Sequence, residues 1–486
     1  MSIASALFCG IMKRYVDTKG QISMHTARKY EMDMCNGPLF SGIVLFSLPL
    51  ILTGILQLLY SAVNIIVVGR FVGSTALAAV GSTSALITLI VNLFIGLSIG
   101  ASVIMAKHYG AGQYTDANET VHTAVAISAV SGIILTVFGI LAAKPLLQVM
   151  GTPDDVLDHA VLYMKIYFLG MPASMIFNFS SAILRAIGDT RRPLYFLSIS
   201  GVINVALNLL FVLVFRMDIA GVATATVISQ YILVVLILLC LLRSDGCIQL
   251  QWRKLRFYKD KLLAIVRIGL PAGMQGIIFS VSNVLIQSSV NGFGSTVVAG
   301  NTAAMNIEGF VYISMNALYQ AALNFTGQNI GAQKYNRIGR ILGSCIISVV
   351  TVGVVFGGLS YLFAGNLLGI YTADPDVITT GITRMGYVCL PYFLCGIMDV
   401  MVGSLRGMGY SILPMLASII GVCGIRITWV YTIFAVNHTL GALYVSYPVS
   451  WAITACVHLI CFAVVRRKYT LKAVNQTEVN QTESVC

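Results

Sequence analysis

The chain has 486 residues, of which 57% are hydrophobic and only 10% charged, and its mean hydropathy of +0.87 excludes an ordinary soluble domain. Its formal net charge of +12 would suit a nucleic-acid-binding protein if the basic residues formed one face, but they are spread over short segments between apolar runs. Composition therefore favours a polytopic membrane protein that lies in a lipid bilayer and has no nucleic-acid partner.

Twelve apolar runs, each long enough to cross about 30 Å of hydrocarbon, predict twelve transmembrane helices. In the first half they cover residues 39–69, 77–106, 118–143, 160–184, 193–216 and 219–243. In the second half they cover residues 262–291, 298–326, 336–365, 380–405, 411–436 and 440–465. The pattern divides the chain into a cytoplasmic N-terminal segment 1–35, an N-lobe 36–243, a cytoplasmic linker 244–261, a C-lobe 262–465 and a cytoplasmic tail 466–486.

Several motifs of the first half return in the second half after about 221 residues. The pairs are Leu48-Pro49 with Leu270-Pro271, Gly73-Ser74-Thr75 with Gly294-Ser295-Thr296, Gly110-Ala111 with Gly331-Ala332, and Leu184-Arg185-x-x-Gly188 with Leu405-Arg406-x-x-Gly409. Because six helices per half is an even number, both halves enter the membrane from the same side. The sequence thus predicts an all-α integral membrane fold of two six-helix lobes related by a pseudo-twofold axis along the membrane normal, a build typical of secondary transporters.

The distribution of basic residues predicts the topology. With the N-terminus inside, 24 Lys and Arg residues fall on the cytoplasmic side, Arg406 among them because it follows predicted helix 10. Arg426 lies within predicted helix 11, and five residues fall on the outer side: Arg70, Lys144, Lys165, Arg216 and Arg384. This asymmetry follows the positive-inside rule and predicts a multi-pass protein of the inner membrane with both termini in the cytoplasm.

Two acidic residues, Glu308 in predicted helix 8 and Asp399 in predicted helix 10, fall within the membrane. An acid in hydrocarbon must be paired, hydrated or protonated, so both are candidate ion-coupling groups, with Arg426 neutralising one of them. The alternative is a fixed ion-pair network that holds three helices together. One face of predicted helix 8 places Glu308 beside residues that suit a cavity wall: Asn301, Met305 and Tyr312.

Amide side chains take the place of acids in the first half. They recur on several predicted helices, together with one serine: Gln57, Ser61, Asn64, Asn178, Asn204 and Asn208, with Asn283 and Gln287 in the second half. Their convergence would form a substrate-binding cleft wall. Buried amides also serve as interhelical hydrogen-bonding groups worth about 0.6 kcal/mol each, which is the alternative interpretation.

Motifs of other function classes are absent or misplaced. The stretch Gly96 to Gly100 matches the G-x-S-x-G nucleophile motif but lies within predicted helix 2, where small residues four apart favour close helix packing. No phosphate-binding P-loop occurs, and six scattered histidines and eleven cysteines without a CxxC pair predict no metal site. We therefore expect a transporter rather than an enzyme, without a cofactor and driven by an ion gradient.

The stretches Val68-Gly69-Arg70-Phe71-Val72-Gly73 and Ala182 to Asp189, with the paired Leu-Pro positions, resemble the multidrug and toxic compound extrusion (MATE) family over roughly residues 36–468. The resemblance implies a twelve-helix, two-lobed exporter with a V-shaped cleft. The family's first-helix Asp falls on Asn64, and its Asn-x-x-x-Asp of helix 5 falls on Asn204 and Asn208. The tenth-helix acid of some bacterial members matches Asp399, which shifts the expected coupling groups to the C-lobe.

The sequence predicts a monomeric antiporter that exports amphipathic, often cationic small molecules or drugs in exchange for H⁺ or Na⁺. The alternative is a flippase for lipid-linked precursors on a related two-lobed fold. A flippase would be expected to line its cleft with several arginines for phosphate, whereas only Arg426 is deep in the predicted topology.

Overall fold

The computed structural model describes the backbone of residues 30–483, with side chains through residue 469 except at 74, 77 and 85. Every regular element in that part is helical. The N-lobe units are α1 Leu39–Val72, α2 Ser74–Gly110, α3 Tyr114–Val149, α4 Asp154–Leu169 with Met171–Ala186, α5 Arg191–Val214 and α6 Asp218–Arg243. The C-lobe units are α7 Lys259–Asn291, α8 Ser295–Gly331, α9 Tyr335–Leu362, α10 Pro375–Val388 with Tyr392–Gly407, α11 Ile412–Phe434 and α12 Leu440–Glu483.

Short turns of other kinds complete the described chain. A helix Ala364–Gly369 joins α9 to α10, and the linker between the lobes holds two 3₁₀ turns, Gly246–Ile248 and Trp252–Lys254. Four π-helical turns occur in the long helices: Val68–Val72 ends α1, Leu210–Val214 ends α5, Val430–Phe434 ends α11, and Ile419–Gly424 lies inside α11.

Nine units of the described part are long and apolar enough to cross a membrane, and the bent units α4 and α10 raise the number to eleven. Each of these two bends by more than 45°, α4 by 47° and α10 by 46°. The remaining unit, α8, has 37 residues and is less apolar because it carries Glu308 and several amides. Most of α8 from Gly300 to Ile330 is buried by protein, so its surface need not be apolar. The predicted all-α fold of twelve membrane helices in two lobes is confirmed.

The internal repeat extends to backbone conformation. Gly188 and Gly409 occupy corresponding positions after α4 and α10 and have φ angles of 94° and 90°. Gly73 and Gly294, which precede α2 and α8, have φ angles of 123° and 96°. Side chains other than glycine rarely adopt such angles, so the same turn has kept a glycine in both halves. The two lobes are therefore copies of one fold down to individual turns.

The lobes meet in close backbone contact where α2 crosses α7. A Cβ atom on Gly96 or Gly100 would clash with the backbone of α7, and one on Gly273 would clash with the backbone at Leu93. Such contact between backbones requires small residues on both helices. The prediction that the Gly96–Gly100 motif serves helix packing is confirmed.

One end of the molecule is closed by α2, α8 and the chain before α1. A Cβ on Gly110 would clash with the Gln328 carbonyl, and one on Gly331 with the carbonyl of Lys107. The segment Tyr30–Gly37 lies across this junction: Tyr109 OH donates to Glu31 Oε2 (2.7 Å), and Asn329 Nδ2 donates to the Met34 carbonyl (3.0 Å). Tyr109 belongs to the N-lobe and Asn329 to the C-lobe, so this segment holds both lobes together.

Helix boundaries differ from the prediction in several places. The structure extends α2 and α3 by several residues at each end, and Pro49 and Pro271 lie well inside α1 and α7. The last helix continues to Glu483, past the predicted end at residue 465 and through the segment predicted as a solvated tail. Most of the predicted N-terminal segment, residues 1–29, and residues 484–486 lie outside the described residues.

Candidate functional site

A cavity of about 760 Å³ lies in the C-lobe, with α2 of the N-lobe forming one wall. Helices α7, α8, α10, α11 and α12 supply the other walls. Its charged lining residues are Glu308, Asp399, Arg384, Arg406 and Arg426. Three arginines and two acids around one cavity at the centre of membrane helices identify it as the candidate substrate and ion site.

Glu308 forms a bidentate ion pair with Arg384. Arg384 Nε donates to Glu308 Oε1 and Nη2 donates to Oε2, both at 2.8 Å, while Nη1 donates to Asn301 Oδ1 at 2.8 Å. Both side chains are buried, and the rings of Tyr444 and Tyr447 each lie 5.4 Å from the guanidinium carbon. The sequence placed Arg384 on the outer side of the membrane, and that prediction is wrong, because Arg384 is buried and neutralises Glu308.

The sequence misplaced Arg384 because α10 begins earlier than predicted. The helix starts at Pro375 rather than near residue 380, so Arg384 lies nine residues inside it, opposite α8. The neighbouring amide supports the pair, since Asn301 also accepts a hydrogen bond from Tyr444 OH (3.2 Å) and donates to Gln287 Oε1 (2.9 Å). A paired, fully bonded acid has the features of a structural group.

Asp399 differs from Glu308 in having no hydrogen bond or ion pair with any described residue, although it lines the cavity. It lies in the second half of α10 and is half-buried. Arg406 compensates this charge only over a distance longer than an ion pair, so the carboxylate also takes compensation from what enters the cavity: water, a proton, a metal cation or a positively charged substrate. Of the two predicted coupling acids, Asp399 alone has this geometry.

Arg406 is the second arginine that the sequence placed outside the membrane. It lies inside α10, two turns after Asp399, and is buried. Its Nη1 donates to Tyr319 OH and its Nη2 to Gln275 Oε1, both at 2.7 Å. Neutral partners on α7 and α8 therefore hold the guanidinium at the cavity wall, and its positive charge is not neutralised by a carboxylate of the described chain within 4 Å.

Arg426 lies in a five-residue α-helical segment of α11 between two π-helical turns. It is 5% exposed, its Nε donates to Ser450 Oγ (3.1 Å), and its Nη1 donates to Asn283 Oδ1 (3.4 Å). The guanidinium carbon lies 4.2 Å from the ring centre of Tyr447 and 5.6 Å from that of Trp451. The prediction that Arg426 neutralises one of the acids is wrong, because no described carboxylate lies within 4 Å of it.

Aromatic rings form one continuous wall of the cavity. Tyr312 stacks on Tyr392 with 6.5 Å between ring centres, Tyr392 stacks on Trp451 at 5.2 Å, and Trp451 meets Tyr447 edge-on at 5.7 Å. Together they line this side of the cavity with aromatic groups, which suit the apolar part of a small-molecule guest. The lining also includes three residues that the sequence singled out: Asn283, Gln287 and Met305.

Three of the predicted first-lobe amides come together. Asn208 Nδ2 donates to Asn64 Oδ1 (2.7 Å) and to Asn204 Oδ1 (2.8 Å), and Asn204 Nδ2 donates to Ser229 Oγ (3.2 Å). Thr226 completes the group, 3.5 Å from both Asn64 and Asn204. The Oδ1 atom of Asn208 is buried without a hydrogen-bond partner. Sequence reasoning found the amides but missed the two hydroxyl residues, whose spacing on α6 resembles ordinary packing.

The other first-lobe residues do not join this group. Gln57 and Ser61 are exposed on α1, and the Asn178 amide donates to the backbone of Ser174 in its own helix (2.8 Å). His458 is buried against Ser418 Oγ (3.2 Å) and lies outside the cavity lining. The described residues contain no cluster of His, Cys, Asp or Glu side chains that would hold a metal ion.

Comparison with known proteins gives a family match in both lobes. The sequence model of the family described as MatE matches residues 49–210 and 271–432, one match per lobe. "Probable multidrug resistance protein YoeA" of Bacillus subtilis is 28% identical over 419 residues, which cover 84% of this chain and 90% of that protein. "Probable multidrug resistance protein YpnP" of the same organism is 26% identical, and the alignment covers 87% of that protein.

Solved structures share the fold. A structure described as the outward-facing conformation of a multidrug resistance MATE family transporter aligns with a TM-score of 0.84 at 20% identity. The alignment covers 90% of this chain and 98% of the other. Because only 20% of the aligned residues are identical, this similarity shows a shared fold, that is, the same arrangement of helices.

Proposed function

The chain belongs to the MatE family of multidrug efflux transporters, and from that premise we propose a secondary active antiporter that exports amphipathic small molecules in exchange for H⁺ or Na⁺. Substrates with a positively charged group, as in many drugs, would enter the C-lobe cavity. The observation that carries the proposal is the unpaired carboxylate of Asp399 in a cavity of about 760 Å³. The two relatives are named as probable multidrug resistance proteins, which supports a transport role, with no enzymatic activity and no cofactor.

Exchange follows from competition for one carboxylate. Asp399 can be neutralised by the coupling ion or by the positive group of a substrate, and occupation by one removes the charge that attracts the other. An ion that binds from the outside therefore promotes substrate release there. Emptying the site again requires ion release on the inside, where substrate replaces it.

Glu308 and Arg384 have a different role in this proposal. Their bidentate pair links α8 to α10, and the hydrogen bond from Arg384 to Asn301 fixes the wall beside the cavity. We assign them to positioning rather than to coupling, because both carboxylate oxygens already accept hydrogen bonds from one guanidinium.

A flippase for lipid-linked anions is the second candidate. The sequence argued against a flippase because only one arginine was predicted to lie deep in the membrane. The cavity, however, contains three arginines. Against it, the matched relatives carry multidrug names. A polyprenyl diphosphate that displaces a bound dye from the purified protein at micromolar concentration would favour the flippase.

We place the protein in the inner membrane as a monomer, with both termini in the cytoplasm. With Arg384 and Arg406 moved from loops into the bundle, the remaining basic residues still fall mostly on the predicted cytoplasmic side. That side is the end closed by α2, α8 and the segment Tyr30–Gly37.

Dye efflux from cells expressing the protein tests the proposal. Export of ethidium should stop when the driving gradient is collapsed, either H⁺ with a protonophore or Na⁺ with a sodium ionophore at constant pH. Collapse of the other gradient should leave export in place. Efflux that continues after both gradients are collapsed would contradict ion exchange.

A further inference from the structure

We propose that the start of α7, together with the linker before it, binds an anionic phospholipid of the surrounding membrane. Lys259 and Arg267 would hold the headgroup phosphate, and Leu263, which lies between them, would contact an acyl chain. This surface lies outside the C-lobe cavity, and the inference does not depend on the proposed transport function.

An exposed apolar stripe runs along the first half of α7. Leu263, Leu270 and Met274 are 70%, 40% and 43% exposed, and their spacing of seven and four residues keeps them on one side of the helix. The opposite side, which includes Ile265 and Ala272, is buried against protein. None of the three exposed residues lines the C-lobe cavity, so in a membrane-embedded chain this stripe contacts lipid.

Two basic residues extend the same stripe. Lys259 lies four residues before Leu263 and Arg267 four residues after it, and both are exposed. Eight residues of helix separate them by about 12 Å, a span over which two long side chains can bend toward one phosphate. Arg267 lies one turn before Leu270, so such a bend toward the headgroups also keeps its charge out of the hydrocarbon.

The corresponding face of the first lobe is apolar throughout. Leu48 of α1 corresponds to Leu270, and at the same interval of 222 residues Leu45 corresponds to Arg267. Leu45 and Leu48 are 48% and 53% exposed, as lipid-facing residues of a membrane helix are. The internal repeat therefore assigns this face to lipid in both lobes, and Arg267 adds a positive charge in one lobe only.

The outward basic residues have no acidic partner in the protein. Lys259 and Arg267 make no ion pair with a described carboxylate within 4 Å, whereas Lys261, on the buried side of the same turn, pairs with Asp116. The exposed charged residues from 251 to 267 are one acid, Asp260, and five basic residues: Arg253, Lys254, Arg256, Lys259 and Arg267. This excess of positive charge beside a membrane helix attracts anionic lipid.

The linker is fixed before a lipid arrives. The backbone N–H of Gln251 donates to His122 Nε2 (3.0 Å), and that of Tyr258 donates to Thr123 Oγ1 (3.3 Å), so α3 holds the linker at both ends of this stretch. Binding then requires little ordering of the backbone.

Two aromatic side chains project from this fixed stretch. Trp252 and Phe257 are 58% and 45% exposed, and the guanidinium carbon of Arg256 lies 4.5 Å from the ring centre of Tyr258. Exposed aromatic rings next to basic residues are typical of segments that lie at the membrane–water interface. Charge, apolar stripe and aromatic residues thus all suit a phospholipid, whose headgroup and acyl chain need both kinds of contact.

Photo-crosslinking of the native protein tests where the lipid binds. The full-length protein is reconstituted in phosphatidylcholine vesicles that contain a small fraction of a diazirine-bearing lipid, either phosphatidylglycerol or phosphatidylcholine with the same acyl chains. We expect crosslinks at Leu263 and Leu270 to be about fivefold more abundant with phosphatidylglycerol, as one basic residue near an anionic surface provides. Equal crosslinking by the two lipids at these residues would overturn the inference.

Variants assign the preference to the two basic residues. Native mass spectrometry of the purified protein with an equimolar mixture of the two lipids gives the ratio of bound phosphatidylglycerol to bound phosphatidylcholine. Arg267→Gln should lower this ratio about fivefold, Lys259→Gln combined with Arg267→Gln should lower it further, and Arg267→Lys should retain most of it. The crosslinking of the native protein decides the question if these variants do not fold.

Lys107→Gln is the matched control. Lys107 is exposed at the end of α2, but Val103, one turn earlier on the same face, is buried, so this face does not continue into lipid. Its loss should leave the lipid ratio unchanged, and an equal drop in Lys107→Gln and Arg267→Gln would reduce the effect to net charge and overturn the site.

Glycerol 1-phosphate distinguishes a membrane lipid from a soluble phosphate ligand. It carries the phosphate without acyl chains, so at millimolar concentration it should leave the bound phosphatidylglycerol in place. Displacement of the lipid by this compound would mean that the basic residues bind a soluble phosphate, and the proposed lipid site would be wrong.

Discussion

At the scale of single residues, the two membrane acids should respond differently to neutralisation. Glu308→Gln leaves Arg384 buried without its counter-ion, and breaking such a pair costs about 3–5 kcal/mol. Its apparent melting temperature in detergent should fall by several degrees. Asp399→Asn removes a charge that makes no hydrogen bond or ion pair with a described residue, so its melting temperature should stay near or above that of the native protein. A stable Glu308→Gln protein with native efflux would show that the pair is dispensable.

The amide group of the first lobe should not set the pH dependence. Amides do not titrate between pH 5 and pH 8, so Asn64→Ala is expected to change the apparent substrate affinity and leave the pH profile of efflux in place. Efflux measured at several pH values and Na⁺ concentrations provides the check. Loss of the pH or Na⁺ dependence in Asn64→Ala would place the ion near Asn208, whose buried Oδ1 has no described donor.

The sequence predicted correctly which residues line the cavity, because that follows from their depth in the membrane. It did not predict which side chains form ion pairs. Glu308, Asp399 and Arg426 line the cavity as residues at mid-membrane depth should. Their partners depend on helix rotation and on the exact start of α10, which the apolar pattern does not specify. Arg384 and Arg406 were missed for that reason, since each lies near a predicted helix end.

At the scale of helices, close contact between α2 and α7 should tolerate no added side-chain atom at its centre. Gly273→Ala places a methyl group against the Leu93 backbone and should lower both thermal stability and the yield of folded protein. Gly276→Ala is the matched control one turn further along α7, where the nearest atom, Asn92 Cβ, lies at an ordinary 3.6 Å. Comparable loss in both variants would mean that helix propensity rather than packing matters here.

Helix number and order followed from the apolar runs, because about 30 Å of hydrocarbon sets a minimum length. The bends of α4 and α10 could not be predicted in this way. Both halves of each unit are apolar, and hydropathy does not show a change in helix direction. Pro391 and Gly170, at the breaks, are the local signals that accompany them. The length of α12 was also underestimated, because its last part is polar and hydropathy favours an end at residue 465.

At the scale of the whole molecule, the closed end should open when α2 and α8 are forced apart. A Cβ on Gly331 would meet the Lys107 carbonyl, so Gly331→Ala should lengthen the distance between spin labels at Gln113 and Gln333. Gly343→Ala on α9 is the control, as a Cβ there meets no atom within 4 Å. An unchanged distance in Gly331→Ala would mean that the helices absorb the methyl group locally.

The two-lobed arrangement was predictable from the repeat alone, whereas the concentration of charge in one lobe was not. Both lobes have the same turns at Gly188 and Gly409, yet the N-lobe group is built from neutral amides and hydroxyls. The C-lobe cavity contains the acids and arginines. Duplication therefore supplied the framework, and divergence of side chains made one half the proposed site of ion exchange.

Gradient-driven transport by Asp399→Asn in proteoliposomes tests the central proposal most directly. Native protein should accumulate dye against its concentration gradient when an H⁺ or Na⁺ gradient is imposed. Asp399→Asn should still bind dye but fail to accumulate it under either gradient, because its cavity no longer has a carboxylate for the ion to occupy. Accumulation by Asp399→Asn at the native rate and with the native ion dependence would contradict the assignment of coupling to this residue.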